Sequence, residues 1–291
     1  MLSVQGLTKS FGNTRAVQDI SFDVPAGMTG FVGGNGAGKT TTMRMIMGVL
    51  SPDAGEVLWN GTPTNREIRR GFGYMPEERG LYPRQKVLEQ IVYFGKLFGR
   101  DAAAARRDGL ELLDRFNLAD RQDDMLDSLS LGNQQRVQIA VAVIGRPSFL
   151  VLDEPFSGLD PDAVDSMADL LREYNARGVP ILFSSHQLEL VERLCDNLTV
   201  LSRGRVVATG SRESLQRSGR IRHRLRMSTD VGWVRDAQVS VLDVAGDTAI
   251  LDLADQAEAD RLLGEALNRG SVVEFAELVP SLSEIYREVS K

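Results

Sequence analysis

Gly33-Gly34-Asn35-Gly36-Ala37-Gly38-Lys39-Thr40 is the segment from which the architecture of this 291-residue chain can be inferred. It fits the pattern G-x-x-x-x-G-K-[ST], which is typical of a phosphate-binding loop. A short apolar run, Met28 to Val32, precedes the segment, and Thr40 to Met47 follows with helical composition and no proline. The sequence therefore predicts a strand, a glycine-rich loop and a helix in that order, which is the context that the pattern requires.

The residue types in this loop are suited to a nucleotide. Glycine has no Cβ, so the backbone N–H groups of such a loop can turn towards phosphate oxygens. The helix that follows adds the positive end of its dipole. We expect Lys39 to supply a positive charge to the β- and γ-phosphates and Thr40 to supply a hydroxyl ligand to Mg²⁺.

Two apolar runs further along the chain end in polar residues. Phe149–Leu152 precedes Asp153 and Glu154, and Ile181-Leu182-Phe183 leads to Ser184, Ser185 and His186. Such runs predict strands buried in a parallel sheet, and open α/β sheets bind ligands at the carboxyl ends of their strands. We expect Asp153 to hold Mg²⁺, directly or through water, and Glu154 to act as general base for the attacking water. The alternative for this pair is two surface acids that cap a strand.

His186 suits a contact to the γ-phosphate, and the alternative is a structural histidine. The segment Leu129-Ser130-Leu131-Gly132-Asn133-Gln134-Gln135-Arg136 opens a predicted helix that continues to Val143. Ser130 is suited to cap this helix, or to face a phosphate from its N-terminus. A single chain has no obvious way to fold this helix onto its own phosphate loop.

Together these motifs resemble the ATP-binding subunit of an ATP-binding cassette (ABC) transporter of the exporter type, similar to drug, sodium or antibiotic efflux systems. The resemblance covers about residues 1 to 215. It rests on the phosphate loop (Walker A, or P-loop), the family's signature motif at Leu129–Arg136, Phe149–Glu154, Ser157-Gly158-Leu159-Asp160 and His186, which occur in the family's order.

The resemblance implies an ATPase in which two copies, or two homologous subunits, pair head to tail. Each ATP would lie between the phosphate loop of one subunit and the signature motif of the other. The implied catalytic residues are Lys39, Glu154 and His186. The implied metal ligands are Thr40, Asp153 and Glu77. Phe11 is implied as a platform for adenine. The other implied nucleotide contacts are Gly33, Gly34, Asn35, Gly36, Ala37, Gly38, Lys39, Thr40, Thr41, Ser130, Gly132 and Asp160.

The chain departs from the family pattern at three places. Gly34 stands where the family often has proline, and the signature has Leu131 and Asn133 where glycine and glutamine are usual. Glu77 stands where the family usually has glutamine, so its role as a metal ligand is open. A subset of exporter-type cassettes resembles the Pro76-Glu77-Glu78 version, which favours export over import.

Composition excludes several classes of protein. The 34 basic and 40 acidic residues give a net charge of −6, which argues against broad nucleic-acid binding. The one cysteine, Cys195, excludes an internal disulfide and is compatible with a reducing cytosol. No run approaches the ~18 apolar residues of a membrane span, and the N-terminus has no signal-peptide pattern. We expect a cytoplasmic protein, peripheral on the inner face of the membrane through a separately encoded permease.

Two alternatives remain. A soluble ABC ATPase of repair, cluster assembly or translation is disfavoured because the chain has no long coiled-coil insertion and no tandem second cassette. A regulatory module that does not hydrolyse ATP is disfavoured because Lys39, Asp153, Glu154 and His186 are all present.

The expected fold class is α/β: a P-loop NTPase core with an antiparallel β layer, an inserted helical subdomain at about 84–145, and a small α+β C-terminal domain. We place the ATPase domain at 1–218 and the C-terminal domain at 219–291, with a polar linker at 214–219. The loop Glu77–Tyr82 would connect the subdomain to the core. By resemblance it lies beside a groove for a short permease helix, where Leu81 and Tyr82 are either contacts or ordinary loop anchors.

Periodicity predicts the elements of the C-terminal domain. Ile221–Met227 alternates as a strand, with Arg222, Arg224 and Arg226 on one face. That face is either solvated or in contact with acidic lipid headgroups or a partner. The predicted elements that follow are a hairpin of Val239–Val244 and Thr248–Leu253, a helix at Ala257–Leu267, a strand at Val272–Leu278 and a terminal helix at Pro280–Val289.

Overall fold

The computed structural model describes residues 1–78, 80–217, 221–278, 281, 284 and 286. The chain divides into two compact units, Met1–Gly210 and a second unit that begins at Ser211. This division falls before residue 218, where the polar composition placed the boundary.

The first unit contains two sheets. Its strands are Leu2–Phe11 (β1), Thr14–Val24 (β2), Met28–Val32 (β3), Ala54–Trp59 (β4), Thr62–Pro63 (β5), Phe72–Met75 (β6), Phe149–Leu152 (β7), Ile181–Ser185 (β8), Asn197–Ser202 (β9) and Arg205–Ser211 (β10). Strands β2-β1-β4-β5 form an antiparallel sheet, and β10-β9-β3-β8-β7-β6 form a second sheet in which β9, β3, β8, β7 and β6 are parallel.

The parallel sheet places the candidate site. Every residue of β3, β7 and β8 is buried, as expected of apolar strands covered on both faces. Because β3 lies next to β8 and β8 next to β7, the segments that follow these three strands emerge side by side at one edge of the sheet. The phosphate loop, the acid pair and His186 are those segments.

Helices of the first unit are Lys39–Ile46 (α1), Arg66–Arg70 (α2), Val87–Leu97 (α3), Ala102–Arg115 (α4), Leu131–Val143 (α5), Pro161–Ala176 (α6) and Leu188–Leu194 (α7). Helices α3, α4 and α5 occupy the region predicted to be helical. Helix α3 packs closely on α4 at Gly95, where an added Cβ would lie 2.8 Å from the Cβ of Ala105. The absence of a side chain at Gly95 allows this approach.

One apolar core joins the two sheets and α1. It contains Leu2 and Val17 of the antiparallel sheet, Phe31 and Phe149 of the parallel sheet, and Met43 of α1. Burying a side chain of this size contributes about 1.5–3 kcal/mol. The core therefore fixes α1, and with it the end of the phosphate loop, against both sheets.

Cys195 is buried at the end of α7, with 2% of its surface exposed. A Cβ added to Gly30 of β3 would lie 3.0 Å from Cys195 Sγ and 2.4 Å from Val191 Cγ1. The glycine thus allows α7 to pack directly on the central strand of the sheet, with the thiol enclosed in that contact.

The second unit is a small α+β domain. Its elements are Arg212–Arg217 (α8), Ile221–Met227 (β11), Ser240–Ala245 (β12), Thr248–Leu253 (β13), Gln256–Arg269 (α9) and Val272–Leu278 (β14). The strands pair antiparallel in the order β12-β13-β11-β14. Helix α9 buries Ala259, Leu262 and Ala266 in the same core as Leu225 and Leu251. The predicted hairpin, helix and strand occur at these positions.

The linker predicted at 214–219 is wrong over its described part, since residues 214–217 belong to α8. The backbone N–H of Ser214 donates to Ser211 Oγ at 3.1 Å, which is the geometry of a serine N-cap. Residues 218 and 219 lie outside the described residues. So does the predicted terminal helix Pro280–Val289, apart from residues 281, 284 and 286.

The arginine face of β11 contains ion pairs. Arg224 Nη1 lies 3.4 Å and Arg226 Nε 3.7 Å from the carboxylate of Glu274 on β14, directly opposite Arg226 in the sheet. Both arginine side chains remain nearly half exposed. These pairs favour the solvated face over a contact with lipid headgroups.

Candidate functional site

The phosphate loop adopts a conformation that only glycine adopts easily. Gly36 and Gly38 have φ values of 76° and 102°, in the left-handed region. A Cβ added to Gly38 would also lie 2.6 Å from the carbonyl oxygen of Ala16. Gly38 directly precedes α1, so the loop leads into the helix N-terminus as the sequence predicts.

A cavity of about 530 Å³ lies over this loop. Its lining combines several segments of the sequence: Phe11, Thr14, Arg15, Ala16, Gly34, Asn35, Gly36, Ala37, Gly38, Lys39, Thr40, Thr41, Glu77, Asp153 and Glu154. The structure therefore brings together Phe11, the loop, Glu77 and the acid pair. The volume is within the range of about 300–1,000 Å³ that is typical of small-molecule sites.

Lys39 is held back against the loop. Only 8% of its surface is exposed. Its Nζ donates to the carbonyl oxygen of Gly33 at 2.6 Å and lies 3.9 Å from Glu154 Oε1. Gly33 does not line the cavity but fixes the lysine ammonium group beside it.

Asp153 is buried completely and has one free acceptor among the described residues. Its Oδ1 accepts from Ser184 Oγ at 2.6 Å, and its backbone N–H donates to the carbonyl of Met75 at 2.8 Å. Oδ2 has no hydrogen-bond partner in the described part of the chain. Burying an ionised carboxylate is costly unless its oxygens are paired or bind a metal. This oxygen is therefore suited to bind a cation.

The residues around Asp153 fit Mg²⁺ bound together with a nucleotide. Thr40 Oγ1 lies 3.5 Å from Glu77 Oε2 in the same cavity. Across the described ranges, no group of three or more His, Cys, Asp and Glu residues could hold a metal alone. This suits Mg²⁺ in phosphate chemistry, which uses one or two protein carboxylates and takes its other ligands from phosphates and water.

The negative charge of Asp153 also affects the pKa of Tyr74 on β6. Burial raises the pKa of the Tyr74 phenol, and the negative charge of Asp153 raises it further, against the opposing effect of Arg44. Arg44 Nη2 also lies 3.6 Å from Glu78 Oε1. The loop that carries Glu77 is thus linked to α1 at both Thr40 and Arg44.

Several side chains hold Glu154 at the edge of the cavity. His186 Nδ1 lies 2.9 Å from Glu154 Oε2, within hydrogen-bond distance. The backbone N–H of Glu154 donates to Ser184 Oγ at 2.8 Å, and its carbonyl accepts from Gln135 Nε2 at 3.2 Å. Its φ of 51° places a non-glycine residue in the left-handed region. The carboxylate is therefore fixed between Lys39 and His186 at the cavity wall.

Ser130 and Asp160 are both helix caps. Ser130 Oγ accepts from the backbone N–H of Asn133 at 3.4 Å at the start of α5, and Asp160 Oδ1 accepts from that of Ala163 at 2.8 Å at the start of α6. A Cβ added to Gly132 would lie 3.5 Å from the carbonyl of Gly158, so the signature motif lies beside the Ser157–Asp160 loop. Ser130, Gly132 and Asp160 are not part of the lining of the cavity.

Three residues that hold the candidate site were missed by sequence analysis. Ser184 bonds both members of the acid pair, Gln135 bonds Glu154, and Gln138 bonds the loop around Glu77. Ser184 had a signal, because it is a polar residue within an apolar strand. Nothing in the local pattern of α5 distinguishes its two buried glutamines from solvated ones.

Comparison with known proteins identifies the family. A model described as "ABC transporter" matches residues 17–157. A second model, "ATP-binding protein DrrA1-3-like, C-terminal domain", matches residues 210–290. The chain is 38% identical over 291 residues to the uncharacterized ABC transporter ATP-binding protein YhaQ of Bacillus subtilis (strain 168), covering 99% of this chain and 98% of that protein. The chain belongs to the ATP-binding proteins of ABC transporters.

Two further similarities support the assignment of this chain to the ABC family. It is 39% identical over 218 residues to the Nod factor export ATP-binding protein I of Burkholderia lata, covering 74% of this chain and 72% of that one. A solved structure, an ATP-binding subunit of an ABC transporter, superposes with a TM-score of 0.70 at 33% identity, covering 75% of this chain and 92% of that one.

The predicted fold class and the predicted ATPase activity are confirmed, and as an ABC ATPase the protein binds nucleotide. Within the described ranges, no helix has both the length and the apolar character that crossing a membrane requires.

Proposed function

We propose that this ABC ATPase binds MgATP in the cavity over its phosphate loop, closes head to tail on a second copy, and powers export through a separate membrane permease. One observation carries the proposal. Asp153, whose buried Oδ2 has no partner among the described residues, and the fixed carboxylate Glu154 line the same cavity as the phosphate loop.

Nucleotide binding divides between two ends of the cavity. Phe11 is 52% exposed and lies in the lining, where its ring can stack on adenine. The N–H groups of the loop and the ammonium of Lys39 bind the phosphates at the other end. Mg²⁺ would be held by Thr40 and Asp153, with Glu77 beside them, and would neutralise charge on the phosphates.

Glu154 acts as general base in this proposal. Its carboxylate side chain is only 11% exposed and lies beside the phosphate loop, so it can orient a water molecule towards the γ-phosphate and accept its proton. His186 Nδ1 lies 2.9 Å from one carboxylate oxygen and Lys39 Nζ lies 3.9 Å from the other. His186, whose side chain is 57% exposed, is also free to contact the γ-phosphate.

The second copy completes the site. Ser130 and Gly132 lie at the N-terminus of α5, outside the lining of the cavity in their own chain. A helix N-terminus is suited to bind phosphate, so these residues would contact the ATP held by the other subunit. Asp160, in the adjacent loop, would lie at the seam between the subunits.

A surface on the helical region fits the permease. Tyr82, Pro83, Arg84, Gln85 and Tyr93 line an open groove of about 610 Å³, and Tyr82 and Tyr93 are 51% and 41% exposed. Exposed aromatic clusters are typical of protein interfaces. We propose that a short helix of the permease binds in this groove. The protein would then lie on the cytoplasmic face of the membrane, and the loop from Glu77 to Tyr82 would connect the ATP site to the groove.

Export is the favoured direction. The Nod factor relative is named for export, and the Pro76-Glu77-Glu78 segment resembles exporter-type cassettes. The transported substrate would be selected by residues of the permease.

The test of the chemistry is Glu154→Gln in the purified full chain. General bases contribute about 10²–10⁴-fold, so kcat should fall by at least about 100-fold while ATP still binds. With MgATP the variant should elute as a dimer. Glu173→Gln is the control, since Glu173 pairs with Arg115 outside the cavity and its variant should retain the wild-type rate. A Glu154→Gln variant with a near wild-type rate would show that Glu154 is not the base.

The test of coupling is purification of the tagged chain from detergent-solubilised membranes of its native cells, followed by mass spectrometry. A stoichiometric multi-span protein is expected. Recovery of the chain only from the cytosol, alone or with soluble partners, would contradict the transporter proposal and leave the ATPase chemistry intact.

A further inference from the structure

We propose that Gln135 is a positioning residue that holds the backbone of Glu154 and links it to the helix that begins at Ser130. The inference rests on the proposed role of Glu154 as general base. It concerns how that base is aimed, and how one ATP site of a dimer affects the other.

The starting observation is the backbone of Glu154. A φ of 51° is unfavourable for a residue with a Cβ, and such a conformation persists only where the surroundings fix it. Strain of this kind at a site of chemistry suggests that the surrounding contacts aim a reactive group. The contacts around Glu154 are therefore the place to look for positioning residues.

Gln135 makes the contact from the helical region. The residue is 6% exposed, and its Nε2 lies 3.2 Å from the carbonyl oxygens of both Glu154 and Pro155. An amide nitrogen has two donor hydrogens, and here each has an acceptor. A buried side chain with both donors occupied has little freedom, so the two peptide units of Glu154 and Pro155 follow the position of α5.

Gln138 makes an equivalent contact one turn further along α5. It is 3% exposed, and its Nε2 lies 2.7 Å from the carbonyl oxygen of Pro76 and 3.4 Å from that of Glu78, on either side of Glu77. Residues three apart lie on the same face of a helix. One face of α5 thus donates hydrogen bonds to the backbone on both sides of Glu77 and to the backbone of Glu154 and Pro155.

The same helix reaches the second ATP site. Gln135 lies five residues after Ser130, which corresponds to about 7.5 Å along an α-helix. When Ser130 binds the nucleotide of the other subunit, the helix N-terminus is fixed by that nucleotide. Because Gln135 couples α5 to the backbone of Glu154, ATP in one site would set the aim of the base in the other. This gives a physical route for cooperative hydrolysis.

Gln135→Met tests the inference in the full chain. Methionine keeps the length and approximate volume of glutamine and removes its donors. We expect ADP and ATP affinities to remain within about twofold and kcat to fall about 10- to 100-fold, since a misplacement of ~1 Å can cost about 100-fold. The Hill coefficient for ATP should fall towards 1.

Gln90→Met is the matched control. Gln90 is a fully buried glutamine on α3 whose Nε2 donates to the carbonyl of Gln85 at 3.4 Å, away from the ATP cavity. Its variant should show wild-type kcat and Hill coefficient. An equal effect of both substitutions would mean that loss of any buried glutamine disturbs the fold, which would overturn the positioning role.

A double-mutant comparison tests whether Gln135 acts through Glu154. In single-turnover assays, Gln135→Met should not slow the residual rate of Glu154→Gln further, because two residues that act as a unit are not additive. A further fall in the rate of the double variant, as large as the one that Gln135→Met causes alone, would overturn the inference. So would an unchanged kcat in the Gln135→Met single variant, or a loss of ADP binding in that variant. If Glu154→Gln alone keeps the wild-type rate, the general-base proposal has failed. If it is inactive and Gln135→Met is normal, only the positioning inference has failed.

Discussion

Replacing Ser184 with alanine should destabilise the protein more than any other single serine substitution near the site. Ser184 is fully buried on β8, and its one hydroxyl makes two bonds. It donates to Asp153 Oδ1 at 2.6 Å and accepts from the backbone N–H of Glu154 at 2.8 Å. Both partners are themselves buried, so water does not replace the hydroxyl easily.

The size of the effect follows from those two bonds. A hydrogen bond to a charged group contributes about 1.5–3 kcal/mol, and a buried N–H left without a partner costs about 1–3 kcal/mol. We therefore expect Ser184→Ala to lower the free energy of unfolding by about 3–5 kcal/mol. That is a large part of the about 5–15 kcal/mol typical of a folded domain.

Ser185→Ala provides the comparison on the same strand. Ser185 is 2% exposed, and in the described part of the chain its Oγ accepts from the backbone N–H of Gln187 alone, at 3.0 Å. Loss of that single neutral bond should cost about 1 kcal/mol. The two serine variants therefore differ mainly in whether the contacts to Asp153 and Glu154 are lost.

Urea unfolding measured by tryptophan fluorescence is the assay. The chain has two tryptophans, and in a Trp233→Phe background the signal comes from Trp59, which packs against Phe72 and Phe149 in the core of the first unit. If the two serine variants unfold with free energies within about 0.5 kcal/mol of each other, Ser184 does not hold the acid pair as described.

Substitutions at three further residues test individual roles. Phe11→Ala should weaken ATP binding by about 1–3 kcal/mol in calorimetry, and Phe11→Tyr should restore it; equal affinities of all three proteins would exclude stacking. Glu77→Gln should shift the Mg²⁺ dependence of hydrolysis to higher concentration if the carboxylate is a ligand, and an unaltered dependence would show that it is not. Asp160→Asn keeps the helix cap to Ala163 and removes the charge, so it should lower the Hill slope for ATP without loss of stability. Asp160→Ala removes the cap as well, so it should lower both the Hill slope and the stability. An unchanged slope in a variant that still dimerises would contradict the role of Asp160 at the seam between the subunits.

Local sequence pattern was sufficient for much of the fold and for most of the residues that lie together around the phosphate loop. The spacing of the phosphate loop is specified within one short segment, and two of its four glycines, Gly36 and Gly38, have left-handed φ values that glycine adopts easily. The apolar runs that became β7 and β8 predicted strands buried on both faces, and the polar residues after them predicted where the site would lie. The hairpin, helix and strand of the second unit follow equally local patterns.

What could not be predicted depends on contacts between distant parts of the chain. Ser184 and Glu154 are 30 residues apart, and Gln135 and Glu154 are 19 apart. Only the packing of α5 and of β8 beside β7 brings these groups together. Helix α8 was missed for a different reason: serine and glycine around 214–219 indicate a loop by composition, whereas the Ser211 cap with Arg212, Glu213 and Leu215 behind it satisfies the requirements of a short helix.

The enclosed thiol of Cys195 makes this protein a convenient host for site-specific probes. Because the only cysteine of the sequence is 98% shielded between α7 and β3, thiol-reactive dyes or spin labels should modify an introduced surface cysteine and leave the native one untouched. A single label on an exposed residue such as Ser128 could then report distances between the two copies of the proposed dimer during a nucleotide cycle. In the unlabelled protein, the rate at which Cys195 itself becomes modified would measure how often α7 separates from the sheet.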